Sequence, residues 1–344
     1  MKGGSKTSDE KISLIHGAGG AAMMKFIVDV ALKELSLRRA GEVGLDELDD
    51  GATISLGDKT LVLTTDSHTI KPLFFPGGDI GRLAIAGTVN DLAVMGARPL
   101  AMACAVVLEE GFLVEDFRKI CRSIDATARE ANVPLITGDT KVMEQGALDG
   151  VVLTTTGIGA AETLVTDHGL KSGDKIIVTG TIGDHGVSIL ANREGISVDV
   201  DLSSDVAPLW GTVEAALKAG GVTAMKDPTR GGLAAALNDM ASKAKVGILV
   251  KEVDIPILPG VRSMSEMLGI DPLQITNEGK AIIGVEPERC DEVLTAVLKT
   301  KYGKKACVIG EVMTDHPGDV ILETVVGGRR LLESPVGDPA PRIC

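Results

Sequence analysis

DIGRLAIAGTVNDLAVMG, residues 79–96, is the stretch on which the fold prediction depends. It is rich in small residues and is closed by Gly96 and Pro99, so it predicts a helix. Two strands are predicted before it, at 48–57 and 59–68, with a turn at Gly57–Asp58 between them. The pattern that follows predicts a buried strand at 98–110, a helix at 115–132, a strand and loop at 134–142, and another strand at 150–160.

A second unit of the same kind opens with GLKSGDKIIVTG at 169–180. Its strand is followed by a helix near 211–219, a loop and helix at 226–244, and strands at 246–253 and 280–285. Strands and helices alternate in both halves, which predicts two α/β domains. The predicted segments are an N-terminal segment with a glycine-rich loop, two domains and a C-terminal tail, with the bounds 1–45, 46–165, 166–325 and 326–344.

The composition excludes several classes of partner and of site. The net charge of −13 and the aromatic content of 2% argue against nucleic acid, because an acidic surface repels phosphates and few rings are available for stacking. The polar N-terminus is unlike a secretory signal, and no apolar run is long enough to span a membrane. The five cysteines are widely spaced and include no C-x-x-C pair, so neither disulfides nor a zinc site is predicted. A reducing cytoplasm is the predicted location.

The C-terminal stretch SPVGDPAPRIC, residues 334–344, predicts a flexible, extended tail that ends in a thiol. Its prolines favour polyproline geometry, so ten residues would reach about 30 Å, enough to cross a domain cleft. The alternative is a frayed terminus with an accidental cysteine. The adjacent α-carboxylate disfavours a thiolate at Cys344, and Arg342 offsets this only in part. If Cys344 reacts, the body of the protein must activate it.

Four aspartates stand where predicted strands end or glycine-rich turns begin, namely Asp66, Asp91, Asp139 and Asp227. Carboxylates that converge on one cleft suit Mg²⁺ carried with a polyphosphate, because this hard ion prefers oxygen ligands. Each aspartate taken alone could instead be a turn or cap residue. Lys141, close to Asp139, is a candidate phosphate-facing cation, although a lone lysine is more often only solvated.

The remaining motifs either exclude a kind of binding site or predict no site. HGAGGAA at 16–22, after a predicted short apolar strand, imitates a dinucleotide fingerprint, but no strand with a terminal acid follows near residue 42, so a Rossmann site is rejected. The chain has no P-loop motif, so an ATP site would be of another kind. The remaining cysteines are predicted to be core residues: Cys104, Cys121, Cys290 and Cys307. His16, His68 and His185 form no cluster in the sequence that predicts a metal site.

Taken together, several blocks resemble the HypE family of hydrogenase maturation factors. NDLAVMGA, GDTK, DPTRGG and NEGK are shared with the wider family of aminoimidazole ribonucleotide synthetase and selenophosphate synthetase, and the terminal PRIC is typical of the hydrogenase branch. The resemblance runs from about His16 to Cys344. It implies two domains of the aminoimidazole ribonucleotide synthetase-like (PurM-like) type, a homodimer formed through the N-terminal domains, and ATP bound at a cleft.

The resemblance also implies a reaction and partners. A carbamoyl group from HypF is placed on the Cys344 thiol, ATP drives its dehydration to a thiocyanate, and the cyano group passes to iron on HypC–HypD. Glu278 is the candidate base, with Lys141 as its charge partner. The predicted ATP site contains Asp66, Asn90, Asp91, Asp139, Thr140 and Asp227, and its four aspartates are the predicted Mg²⁺ ligands.

Two alternatives remain open from the residues. The chain could be an ATP-dependent synthetase or kinase of the same fold that acts on a free small molecule. It could also be a non-catalytic carrier or scaffold that presents Cys344 to partners. The aspartates, Lys141 and Glu278 argue against a scaffold, and the PRIC tail argues against a free substrate.

Overall fold

The computed structural model describes residues 11–17, 20–196, 202–337 and 343. Its α-helices are α1 Gly20–Phe26, α2 Leu32–Glu34, α3 Ile80–Val94, α4 Val114–Ala131, α5 Asp184–Arg193, α6 Trp210–Ala219, α7 Gly232–Ala244, α8 Pro259–Leu268 and α9 Cys290–Leu298. Its strands are β1 Ala52–Leu56, β2 Lys59–His68, β3 Phe74–Phe75, β4 Gly78–Asp79, β5 Ala97–Glu109, β6 Leu135–Met143, β7 Val151–Ala161, β8 Lys175–Val178, β9 Val222–Lys226, β10 Gly247–Lys251, β11 Ile282–Val285, β12 Cys307–Met313, β13 Val320–Glu323 and β14 Arg329–Leu331. A π-helical turn, Ile27–Ala31, joins α1 to α2, and short 3₁₀ helices occur at Leu14–Gly17, Glu252–Asp254, Pro272–Gln274 and Pro287–Arg289.

The N-terminal domain is built on a five-stranded sheet with the order β1-β2-β7-β5-β6. Its neighbouring strands are antiparallel except for β5 and β6, which run parallel. Helix α3 packs so closely on β7 that a Cβ atom at Gly157 would lie 2.7 Å from Thr88 Cγ2. Strand β6 forms one edge of the sheet, and every one of its residues is exposed.

The C-terminal domain has a seven-stranded mixed sheet with the order β14-β13-β10-β12-β8-β11-β9. Successive residues of its strands point to opposite faces. Ile282 therefore packs with Leu237 of α7 on one face, and Ile283 packs with Val213 of α6 on the other. Helices cover both faces of this sheet, which confirms the predicted α/β class.

Helix α3 joins the two domains. Ile85 packs in the core of its own domain with Leu153, whereas Val94 packs with Val213 of the C-terminal domain. Nearly every residue of α3 is buried, as expected for a helix that is apolar all round. The small residues of this helix allow both domains to approach it. Asp79 begins the helix by accepting a hydrogen bond from the Arg82 backbone N–H at 2.9 Å.

The strands and helices predicted from the sequence are present, with shifts of a few residues at their ends. Three details differ. Leu14–Gly17 is a 3₁₀ helix rather than a strand before the glycine-rich loop. Arg329–Leu331, assigned above to the tail, pairs with β13 as an edge strand. Cys121 is exposed rather than in the core, because it faces outward from α4. Among the described helices, none combines the length and apolarity that a membrane crossing requires.

Candidate active site

A cavity of about 450 Å³ lies where the N-terminal sheet, α3 and two loops of the C-terminal domain meet. Its lining includes six acidic side chains contributed by both domains: Asp49, Asp50, Asp66, Asp91, Asp227 and Glu278. Three of the four aspartates predicted from the sequence are therefore brought together, and Glu278 joins them. The long-range approach of α3 and the C-terminal loops creates this concentration of carboxylates.

Asp66 occupies the end of β2, where the strand alternation directs its side chain into the cavity. Its Oδ2 atom lies 3.6 Å from His68 Nε2, and its Oδ1 atom lies 3.9 Å from an Arg230 guanidinium nitrogen. Gly87 of α3 makes this approach possible, since a Cβ atom there would lie 3.0 Å from His68 Nε2. His68 is itself buried, and burial lowers the pKa of its imidazole.

Asp91 reaches the same cavity from α3. Its Oδ2 atom accepts a hydrogen bond from Thr64 Oγ1 at 2.8 Å, which ties the helix to β2. Burial, together with repulsion from Asp66 and Asp227, raises the pKa of Asp91 well above its usual value. The acidic side chains of the cavity therefore carry more negative charge than the neighbouring cationic side chains neutralise.

Asp50 and Asp227 carry the strongest indication of a cation. The Oδ2 atoms of both residues are buried and have no hydrogen-bond partner within the part of the chain that the structure describes. Asp50 Oδ1 is paired with Lys226 Nζ at 2.7 Å, which leaves its other oxygen available. Burial and repulsion from Asp50 raise the pKa of Asp227 well above its usual value. Buried oxygen donors of this kind fit Mg²⁺.

Glu278 is held from both sides through its backbone. Its N–H donates to Asp205 Oδ1 at 3.0 Å, and its carbonyl accepts from Asn90 Nδ2 at 3.1 Å. Lys280 stabilises Asp205 through an ion pair at 2.9 Å. Burial and the negative charges of Asp227 and Asp205 raise the pKa of Glu278 well above its usual value, which favours uptake of a proton by this carboxylate.

Asn90 lies behind the cavity and joins the domains. Its Nδ2 group also donates to the Ala207 carbonyl at 3.1 Å, and its Oδ1 atom accepts from the Leu209 N–H at 2.8 Å. These bonds occupy its amide in positioning the Glu278 segment. A direct contact of Asn90 with nucleotide stays a prediction.

The structure does not bring Asp139, Thr140 and Lys141 to this cavity. They lie exposed on β6, and Asp139 Oδ1 accepts a hydrogen bond from the N–H of Thr140. Three strand steps separate β6 from β2, which amounts to about 14 Å. The charge partnership predicted between Lys141 and Glu278 is therefore not seen within one chain, because Glu278 lines the cavity whereas Lys141 lies on β6, which β7 and β5 separate from β2.

Cys344 lies outside the described residues, but the preceding Ile343 is described. Its side chain is only 3% exposed and belongs to the same apolar cluster as Ile189 and Val206. Its Cδ1 atom lies close to Gly186, whose N–H donates to the Thr276 carbonyl at 3.1 Å. Ile343 is therefore anchored beside the segment that carries Glu278.

Sequence reasoning missed Asp50, Arg230 and Lys226. Asp50 has the same signal as the predicted aspartates, an acid beside a glycine at a strand boundary, and could have been included. Arg230 and Lys226 flank Asp227 in KDPTRGG, and no local pattern distinguishes them from solvated cations. Only the contact with Asp50 and Asp167 shows that Lys226 is buried within the acidic cluster.

Comparison with known proteins agrees with this architecture. Residues 48–161 match the N-terminal domain of AIR synthase related proteins, and residues 171–323 match their C-terminal domain. A putative hydrogenase expression/formation protein of Methanocaldococcus jannaschii is 49% identical, over 97% of this chain and 100% of its own length. Carbamoyl dehydratase HypE of Azotobacter vinelandii is 44% identical, with 97% of each chain covered.

Two solved structures are similar over most of their length. The HypE chain of a HypE–HypF complex has a TM-score of 0.84 and 39% identity, over 90% of this chain and 99% of that chain. HypE in complex with ATP has a TM-score of 0.81 and 38% identity, over 96% of this chain and 99% of that one. The two-domain fold and its shared cavity define an AIR synthase related protein. Within that class, the chain belongs to the HypE family.

Proposed function

We propose that this protein is an ATP-dependent carbamoyl dehydratase of hydrogenase maturation. It receives a carbamoyl group from HypF on the Cys344 thiol and dehydrates it to a thiocyanate. The thiocyanate supplies the cyanide ligands of the [NiFe]-hydrogenase iron by way of HypC–HypD. The observation that carries the proposal is the burial of Ile343 beside the Thr276–Glu278 segment, since it holds the residue next to Cys344 near the segment that contributes Glu278 to the cavity lining.

Asp50 and Asp227 would hold Mg²⁺, because each presents a buried oxygen that lacks a protein partner among the described residues. Asp66 and Asp91 are the further predicted ligands. Bound Mg²⁺ would supply charge neutralisation for the triphosphate. Arg230 adds positive charge at the same wall, 3.9 Å from Asp66, and helps to orient the nucleotide phosphates.

The chemistry follows from the leaving group. The oxygen of the thiocarboxamide on Cys344 attacks the γ-phosphorus of ATP and ADP departs, so that the carbon–oxygen bond later breaks with loss of phosphate instead of hydroxide. The two protons on the carbamoyl nitrogen must also leave to form the carbon–nitrogen triple bond. Glu278 accepts one of these protons as the carbamoyl oxygen attacks phosphorus, in keeping with its raised pKa, and the departing phosphate takes up the other.

A homodimer completes the site. Strand β6 is an edge strand whose nine residues are all exposed, and Ile136 and Val142 are 68% and 66% exposed. An uncovered edge with exposed apolar side chains favours pairing with another strand. We infer that a second copy covers β6, and that Asp139, Thr140 and Lys141 serve the cavity of the partner. The reducing cytoplasm is the proposed location, because it keeps a terminal thiol free.

Intact-mass measurement tests the function. With HypF and its carbamoyl donor, the chain should gain one carbamoyl group, and it should then lose one water only when Mg-ATP is added. A Cys344→Ala variant is the control and should gain nothing. Undiminished substrate-dependent ATP hydrolysis by Cys344→Ala with a small molecule would instead support a free-substrate enzyme. An adduct that never loses water would indicate a carrier.

A further inference from the structure

His185 is a buried histidine that the reaction described above does not use. It lies in the first turn of α5, is 0% exposed, and contacts the end of the C-terminal tail. Its Nε2 atom lies 2.9 Å from the carbonyl oxygen of Ile343. Its Nδ1 atom lies 2.7 Å from Ser204 Oγ. Both ring nitrogens therefore have partners, as expected of a buried imidazole.

The hydrogen-bond directions in this chain of contacts follow from the partners. The carbonyl of Ile343 can only accept, so His185 Nε2 carries the proton that donates to it. Ser204 Oγ accepts from the Val206 N–H at 3.0 Å, and its own hydroxyl proton is then free to donate to His185 Nδ1. Because burial lowers the pKa of His185, the ring is neutral and one nitrogen remains an acceptor. Ser204 thus selects the tautomer that binds the tail.

The imidazole is also fixed by the N-terminal domain. The Phe75 ring packs edge-on against it, with centroids 5.6 Å apart and an interplanar angle of 89°. The Ser204 N–H donates to the Pro76 carbonyl at 2.8 Å, which fastens the serine to the same β3–β4 hairpin. The histidine is therefore held at the junction of both domains by contacts with Ser204 and Phe75 in addition to its contact with the tail.

We propose that His185 is a positioning residue that docks the C-terminal tail, holding the carbonyl of Ile343 and thereby the peptide bond to Cys344 beside the Glu278 segment. The docking of the tail is independent of the proposed function; only the role of the docked thiol in dehydration rests on it. The Cys344 thiol is joined to the held carbonyl through one peptide nitrogen, one α-carbon and one β-carbon. Fixing that carbonyl restricts the volume the carried group can sample and raises its effective concentration at the cavity.

Limited trypsin digestion measures docking without any of the maturation chemistry. Trypsin cleaves after arginine, and cleavage between Arg342 and Ile343 requires the buried Ile343 to leave its site, so the cleavage rate reports the undocked population. Release of the C-terminal dipeptide is followed by intact mass. His185→Leu should be cleaved roughly tenfold faster than the wild type, the factor expected for loss of one buried hydrogen bond.

Two further variants separate docking from general loss of structure. The side-chain amide of His185→Gln can donate at the position of Nε2, so its tail should be protected to within about twofold of the wild type. Ser204→Ala removes the donor that selects the tautomer and should speed cleavage by a smaller factor than His185→Leu. His316→Asn, on an exposed turn, is the control and should change nothing.

Unchanged cleavage of a folded His185→Leu protein would overturn the proposal, and so would His185→Gln cleaved as fast as His185→Leu. If His185→Leu melts at a lower temperature, the decision rests on Ser204→Ala and His185→Gln. A second measurement follows the proposed dehydration reaction. Single-turnover dehydration should slow in His185→Leu while the affinity for Mg-ATP stays constant. Failure of the proposed function leaves the digestion result unaffected, since that assay contains neither HypF nor ATP.

Discussion

Glu278→Gln isolates the basicity of one side chain in an otherwise unchanged cavity. The backbone of residue 278 is anchored by Asp205 at 3.0 Å and by Asn90 at 3.1 Å, so glutamine should occupy the same place. Glutamine has nearly the same shape as glutamate and cannot accept the proton from the carbamoyl nitrogen. The structure therefore predicts a defect confined to dehydration.

The magnitude follows from the role of a positioned base, which typically contributes a factor of about 10²–10⁴. We expect thiocyanate formation to slow by roughly a thousandfold, or about 4 kcal/mol in the activation barrier. Carbamoylation by HypF should continue. Binding of Mg-ATP should be unchanged, because glutamine keeps the shape of the side chain and the raised pKa of Glu278 already disfavours a negative charge there.

The assay starts from protein carbamoylated with HypF, adds Mg-ATP, and follows the loss of water by quenched-flow intact mass. Glu288→Gln, an exposed substitution of the same kind, is the control. Only the ionised carboxylate is a base, so the wild-type rate should rise with pH through a limb above the ordinary carboxyl range. The variant should lack this limb. Thiocyanate formation by Glu278→Gln at the rate of the control would refute the reasoning.

Three further predictions concern the metal, the dimer and stability. Asp66→Asn should weaken Mg-ATP use by roughly tenfold or more while carbamoylation of Cys344 continues; unchanged ATP turnover would remove Asp66 from the site. Mixed dimers of Lys141→Ala and Glu278→Gln should recover dehydration activity that neither variant has alone, since one composite site is intact; no recovery would argue against β6 serving the partner. Burial and repulsion from Asp167 and Asp50 raise the pKa of Asp49 to about 7, so its ionisation destabilises the folded state as pH rises from the unfolded-state pKa toward 7. Asp49→Asn should therefore raise Tm more at pH 8 than at pH 5, as measured by calorimetry, and an equal rise at both would contradict this.

The local sequence was sufficient to predict the helices and strands themselves. Asp79 and Gly96 mark the two ends of α3, and the turn at Gly57–Asp58 separates β1 from β2, because caps and turns depend on side chains and backbone angles within a few residues. The sequence also allowed the cavity residues Asp66, Asp227 and Glu278 to be named as candidates, since each stands beside a strand end or a glycine.

Which of these residues share one cavity was decided by long-range packing. Asp139 and Lys141 carry the same local signals as Asp66, yet the sheet order places β6 at the far edge, a property that no window of sequence contains. Asp50 joins the acidic cluster because β1 pairs with β2 and Lys226 approaches it from the other domain.

The tail shows the same division most clearly. The sequence by itself determined that the chain ends in a thiol on a proline-rich segment, because composition and covalent order are local properties. The contact of Ile343 with His185 joins residues 158 positions apart and depends on Ser204 and Phe75 to orient the ring. Such contacts form only in the folded chain, so the tertiary structure alone decided where Ile343 is held.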